Sequence, residues 1–306
     1  PEASTMLLTN GCSPQFFAKE GWGNVFQESL LKIQVALEDN FTKVAAATGV
    51  KSVILCDRGL MDGSAYMSKG NWSEQLSRLG LSEVQIRDSR YDAVFHLTTA
   101  AEGAEAFYTC ANNEARGETV EQAREIDKKT MEAWLGHPHH YVFGNEGDFE
   151  EKLRSLVTSV SRAVGLPPTS KSTTKHLLPP HPPSHWISHL ESLSVKFEVF
   201  DIEKVYLLTS SSSDDSYTFV RRRSLNGVPS YGRTTVTPPL TPGGHPVELK
   251  RIITSREYNT LTNDYPDPDR HVILQKRISF IHLGQACQIH CYLSPRTDLS
   301  ILHVQR

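Results

Sequence analysis

Residues 24–48 place the apolar side chains Phe26, Leu30, Ile33, Leu37, Phe41 and Val44 at steps of three and four. That spacing predicts an amphipathic helix. Ser52-Val53-Ile54-Leu55-Cys56 follows as a continuously apolar run that stops at Asp57-Arg58-Gly59, the pattern of a short strand buried on both faces. Residues 91–97 and 141–143 read as two further strands, and residues 120–134 and 149–164 as helices with charged faces. Helices alternating with buried strands predict a parallel sheet covered on both sides. Ligands of such sheets bind at the carboxyl ends of the strands.

The later pattern is different. Residues 196–207 and 217–223 are rich in β-formers, and the second run meets Asn226-Gly227, a strong two-residue hairpin signal. Residues 230–236 pair back, and residues 246–253 form another strand. Thr254 or Ser255 caps a short helix to residue 261. Residues 270–283 and 286–293 form a hairpin around Gly284, and residues 299–304 begin a last strand. Between the two patterns, residues 166–183 hold six prolines interleaved with Ser and Thr, which predicts a semi-extended linker. The expected organisation is a first domain over 1–166, a linker over 167–190 and a second domain over 191–306.

Charge follows the same division. Residues 1–166 carry 16 Lys+Arg against 23 Asp+Glu, a net of −7, and the rest carry 16 against 12, a net of +4, which together give the chain's −3. The apolar fraction of 38% is ordinary for a globular protein, and no run of 18–20 apolar residues exists to span a bilayer. Met6-Leu7-Leu8 is too short for a signal-peptide core. Five cysteines without a CxxC pair fit a reduced, cytosolic setting better than a disulfide scaffold or zinc ribbon.

Candidate chemistry sits in both halves. Asp57, directly after the apolar run, stands where a strand-end carboxylate organises Mg²⁺ in P-loop enzymes, and Arg58 beside it suits phosphate oxygens; the alternative is a turn or helix cap. Arg116 and Arg124 flank and enter the helix over 120–134, where arginines of a lid close on phosphates; the alternative is a solvated helix with i,i+3 pairs such as Arg124–Asp127. His137-Pro138-His139-His140 lacks the spacing of a helical metal pair. No GxxxxGK[ST] occurs in the 306 residues, so a P-loop fold here would have its phosphate-cradling loop before Pro1; the alternative is a domain that does not bind a triphosphate in the usual way. In the second half, alternation puts Arg221 with Arg223, Asp201 with Glu203, and Glu248 with Lys250 on common faces; Lys276 adds a base. Bases for phosphate and acids for metal suit a polyphosphate inside a closed antiparallel sheet; the alternative is a solvent-facing surface.

Several stretches carry a family resemblance: Pro1-Glu2-Ala3-Ser4, Asp57-Arg58-Gly59-Leu60-Met61-Asp62-Gly63-Ser64, Arg87-Asp88-Ser89-Arg90-Tyr91, Trp134-Leu135-Gly136-His137-Pro138, Val247-Glu248-Leu249-Lys250 and Ser255-Arg256-Glu257-Tyr258. With them the chain resembles the TRPL translocation defect protein family. The resemblance implies an α/β P-loop NTPase-like domain of nucleoside-kinase type, without its N-terminal strand and Walker A loop. It implies, after that, an α+β, mostly antiparallel CYTH-like β-barrel of triphosphate-tunnel type. It further implies binding of GTP (or ATP) with Mg²⁺ in a longer parent, binding of phosphatidylinositol phosphate headgroups, and a cytoplasmic, membrane-peripheral role in photoreceptor-channel or vesicle-cargo trafficking, without nucleic acid. The alternative is a nucleotide kinase or triphosphate hydrolase.

Carried over by residue, the resemblance implies nucleotide contacts at Glu2, Asp57, Arg58, Arg116 and Arg124, with Asp57 and Arg124 catalytic. It implies anion contacts at Arg221, Arg223, Lys250 and Lys276, and metal carboxylates at Asp57, Asp201, Glu203 and Glu248. Two positions depart from the tunnel pattern. The opening ExExK motif reads Asp201-Ile202-Glu203-Lys204-Val205, and the late strands offer His290 and His303 where carboxylates are expected.

Overall fold

A computed structural model of the chain describes residues 2–108, 119–166, 173–208, 216–239 and 245–305. The residues fall into two compact units, 1–86 with 99–133, and 87–98 with 134–306.

The first unit is helical. It contains α1 (Ala3–Thr9), α2 (Trp22–Ala47), a 3-10 segment (Leu60–Tyr66), α3 (Lys69–Arg78), most of α4 (Glu83–Asp88) and α5 (Val120–Ala133). The predicted long helix is α2, and Phe26 and Leu31 on it are buried together with Leu60, Met61, Trp72 and Leu76. Ser68 opens α3 by accepting the Asn71 N–H at 3.3 Å. The expected strand over 52–56 is not formed. These residues are irregular, and Val53 and Leu55 are 59% and 77% exposed. Continuous apolarity signals burial, but a strand exists only through a paired neighbour, and no strand among the described residues is laddered to 52–56. The parallel α/β sheet expected for this part is therefore reduced to one two-stranded parallel pair, which belongs to the second unit: β1 (Val94–Leu97) with β2 (His140–Phe143).

The second unit continues with α6 (Phe149–Ala163), β3 (Thr173–Leu178), α7 (Pro183–Ser192), β4 (Phe197–Leu207), β5 (Tyr217–Leu225), β6 (Val228–Thr237), β7 (Val247–Ile252), α8 (Ser255–Asp264), β8 (Ile273–His282), β9 (Gln285–Ser294) and β10 (Ser300–Gln305). Strand and helix thus occupy much of the range read as linker. The prolines frame β3 rather than interrupt it, and Pro183 sits in the first turn of α7, where its missing N–H costs nothing. The β5–β6 hairpin turns at Asn226 and Gly227 with φ of 49° and 83°, the left-handed pair that a two-residue turn requires.

β3 to β10 form one eight-stranded antiparallel sheet in the order β3-β10-β9-β8-β4-β5-β6-β7. The pairing leaves β3 and β7 as edges, so the expected barrel is not closed by hydrogen bonds among the described residues. One face is apolar. Ile278, Phe280, Cys287, Ile289 and Cys291 pack with Leu190, Trp186 and Ile187 of α7, while Val205, Leu207 and Val220 pack with Tyr258 and Leu261 of α8. Helices on one face leave the other free for polar side chains. Among the described residues no helix is long and apolar enough to cross a membrane.

Candidate anion-binding site

Side chains two apart on a strand share a face, and residues directly paired across strands share it too. Ile202 pairs with Arg223, Lys204 with Arg221 and Tyr206 with Phe219. Phe200 pairs with Arg277, Arg277 with His290, His303 with Gln288 and Lys175 with His303. On the other side Thr234 pairs with Lys250 and Val236 with Glu248. The face opposite the apolar core therefore gathers Lys175, Lys204, Arg221, Arg223, Lys250 and Arg277 from five strands, with Glu248 and Glu198 as acids among them.

Three of the four predicted bases, Arg221, Arg223 and Lys250, share this face. Lys276 does not. It pairs with Asp201 in register and joins its carboxylate at 2.7 Å on the opposite surface, and its neighbour Arg277 takes the inward position. Asp201 and Glu203 are also on the opposite surface, where Glu203 meets the exposed Arg222 at 2.6 Å. Of the predicted metal carboxylates only Glu248 remains, bound to Lys250 at 2.9 Å. Burial works to raise its carboxyl; Lys250, then Lys175 and Lys204, outweigh burial and hold it below the ordinary carboxylate range. No group of three His, Cys, Asp or Glu suited to a metal occurs among the described residues. Carboxylates that already face cations, Glu248 with Lys250 and Glu198 with Arg87 at 3.9 Å, do not fit a resident divalent ion.

The cations are crowded. Burial, then Arg221 and Arg223, drives the Arg277 pKa well down. Burial, then Arg277 and Arg221, lowers Lys204 to about 8 against the pull of Glu248. Lys204 Nζ donates to the Tyr206 hydroxyl at 2.8 Å. The rings of His290 and His303 stack at 3.9 Å. Burial with the neighbouring cations keeps both neutral, His303 falling to about 4. Like charges held together in a half-buried place favour an anion between them.

Arg223 is the exception, because its charge is already matched. It is buried, donates to Asp88 at 2.7 Å and to the Gly136 carbonyl, and lies 3.4 Å from the Phe200 ring centre. Arg87 holds the same carboxylate at 2.7 Å and donates to the Leu135 carbonyl at 3.1 Å. Burial works to raise the Asp88 carboxyl, and the guanidiniums of Arg223 and Arg87 overcome it and hold it low. Arg87 and Asp88 escaped the residue-by-residue sequence reading; their only signal was membership of the Arg87–Tyr91 stretch. Beside this triad a cleft of about 460 Å³ is lined by Asp88, Tyr91, His139, Arg221, Arg223 and Lys250 among others. A second, of about 320 Å³, shares His139 and Lys250 and adds Arg162 and Glu248.

His137 is locked in one tautomer. Its Nδ1 accepts the His139 N–H at 3.1 Å, so Nε2 carries the proton that meets the Tyr91 carbonyl at 3.0 Å. Burial lowers its pKa to about 4. The neutral form is the folded form, so its contribution is complete above the unfolded value near 6.5 and is lost as pH falls toward 4. Roughly 3 kcal/mol of stability is expected to disappear over that window. Urea unfolding at pH 7.5 and pH 4 measures this, and equal midpoints would refute it.

In the first unit Arg58 lies at φ 73° and 3.8 Å from Glu2 and 3.9 Å from Asp62. Glu2 also accepts the Ser4 and Thr5 hydroxyls at 2.5 Å, and Asp57 is exposed next to Arg58. These predicted residues come together, except Arg124. Its guanidinium is engaged by the Ala101 carbonyl and by Glu105, each at 2.6 Å. Arg116 lies outside the described residues.

No curated protein matches the chain. Among solved structures, the PH1819 protein from Pyrococcus horikoshii OT3 is 12% identical over 44% of this chain and 77% of its own, with a TM-score of 0.34. A putative adenylyl cyclase from Hippeastrum, described with a dominant triphosphatase activity, is 12% identical over 44% and 80%, with a TM-score of 0.31. The inorganic triphosphatase NE1496 is 16% identical over 45% and 74%, with a TM-score of 0.26. Residues 1–152, slightly under half of the 306, match the sequence model of a family described as an AAA domain, and this part of the chain is similar to that family.

Proposed function

We propose that the chain binds a triphosphate on the basic face of its eight-stranded sheet and that its chemistry is that of a triphosphate hydrolase rather than a lipid-directed trafficking factor. The observation that carries this reading is Arg221. It is half-buried, surrounded by Lys204, Lys250 and Arg277, and makes no hydrogen bond or ion pair with any described residue. The carboxylates of Glu248 and Asp88 act on it only from a distance, and a desolvated guanidinium with no direct partner is stabilised by a phosphate, which accepts two of its N–H groups at once. Lys250 and Lys204 flank it and supply point charges to neighbouring phosphates.

Glu248, beside Lys250 on this face, is placed to meet an ion that arrives already bound to phosphates. In the first unit the proposed nucleotide contacts are Glu2, Asp57 and Arg58, supported by the similarity to an AAA domain. Arg124 is proposed as a positioning residue for residues 101–105.

The test adds inorganic tripolyphosphate, GTP, ATP, inositol phosphate headgroup or phosphoinositide vesicles to the whole chain, and reads thermal unfolding and phosphate release with Mg²⁺ present. Tripolyphosphate or nucleotide is expected to raise the unfolding temperature in a salt-sensitive way and to release phosphate. Binding confined to phosphoinositide vesicles would contradict the hydrolase reading and favour the headgroup.

A further inference from the structure

The phosphate-facing surface does not end in charge. At the far end of β4 and β5 it passes into an aromatic group made of Tyr206, Tyr217 and Phe219. The Tyr217 and Phe219 rings lie 6.4 Å apart at 25°, and Tyr206 is 6.0 Å from Tyr217 and 5.9 Å from Phe219. All three are half-buried rather than packed away. Each is on the same face as Lys204 and Arg221, because Tyr206 pairs with Phe219 and Lys204 with Arg221.

Two cations join charge to rings. Lys204 Nζ is 3.8 Å from the Phe219 ring centre and 4.4 Å from that of Tyr206. The Arg270 guanidinium lies over the Tyr206 ring at 4.8 Å and the Tyr217 ring at 5.1 Å, pairs with Asp267 at 3.3 Å and is 44% exposed.

The geometry points to a nucleobase subsite on Tyr217, Tyr206 and the half-exposed Arg270 guanidinium that lies over them, so that the triphosphate taken by this face belongs to a nucleoside triphosphate rather than to inorganic polyphosphate. This rests on the triphosphate reading of Arg221 and deepens it. Bases stack on aromatic side chains irrespective of sequence, and an arginine beside the ring adds both a planar surface and donors for ring acceptors. The spacing suits the substrate. Tyr217 and Arg221 are four residues apart on one strand, about 13 Å at strand rise, which is on the scale of the reach from a base to its terminal phosphates. A base over Tyr217 would therefore send its phosphates past Lys204 toward Arg221, in the direction in which the face becomes more basic.

Titration of the whole chain with tripolyphosphate, ATP and GTP separates this inference from the reading beneath it. A nucleotide is expected to bind about tenfold more tightly than tripolyphosphate. Tyr217→Leu should remove that advantage and leave tripolyphosphate binding unchanged, while Tyr217→Phe should keep it. Nucleotide and tripolyphosphate binding alike in the unaltered chain would overturn the subsite and leave the triphosphate site standing. So would Tyr217→Leu weakening all three equally, the mark of a purely structural ring. Failure of every anion to bind would overturn both.

Discussion

Arg223→Ala is expected to cost the β-rich unit about 3–5 kcal/mol, more than any other single side-chain truncation on the basic face. The substitution strips Asp88 of one of two guanidiniums while leaving the carboxylate 1% exposed, and the Gly136 carbonyl loses its donor in the same place. An unpaired buried charge is far costlier than the net value of the pair that held it. The cation over the Phe200 ring is lost as well. Arg222→Ala, one residue away, is the control. Arg222 is 50% exposed and its bond to Glu203 is on the surface, so the change should be under about 1 kcal/mol. Urea unfolding followed by a β-sheet signal decides between them, and equal losses would contradict the assignment of Arg223 to a buried triad.

Gly136→Ala is expected to be nearly as damaging, by about 2–5 kcal/mol. Gly136 has φ of 92°, a region that L side chains enter only with strain. A Cβ there would also lie 2.5 Å from Phe200 Cζ and 2.9 Å from Cε2, with Arg87 at 3.5 Å. Movement of Phe200 would disturb the guanidinium of Arg223 against it. Gly284→Ala separates the two causes. Its φ is 69°, but a Cβ would meet nothing within 4 Å, so only the backbone cost of roughly 1–2 kcal/mol applies. Adding Phe200→Leu to Gly136→Ala should recover the steric part alone. A Gly136→Ala protein as stable as Gly284→Ala would show that the crowding at Phe200 is not real.

Much of the antiparallel sheet was legible because its strands alternate and its turns carry glycine. Asn226-Gly227 and Gly284 fixed two hairpins, and Thr254 announced α8 through the cap that it supplies to Glu257. What was not legible was parity between strands. Counting by two groups Asp201 with Glu203 and Arg221 with Arg223, but it cannot say whether the two pairs face the same way. That depends on register, and because Ile202 lies opposite Arg223, even positions of β4 join odd positions of β5. Lys204 and Arg277 were therefore overlooked, and Lys276, Asp201 and Glu203 were assigned to a face that they do not share. The run over 52–56 failed for a related reason, since apolarity is a property of a segment and pairing is a property of two.

Calorimetric titration of inorganic tripolyphosphate into the whole chain, beside Arg221→Ala with Lys250→Ala, tests the central claim most directly. Arg221 makes no ion pair with a described residue and Lys250 keeps only Glu248, so the double substitution removes phosphate contacts without opening the Arg223–Asp88 triad. Micromolar binding, about −8 kcal/mol, is expected for the unaltered chain, with a loss of about a hundredfold or more in the variant and an unchanged unfolding midpoint without ligand. Tripolyphosphate that binds the variant as tightly as the unaltered chain would contradict the assignment of this face as the phosphate site.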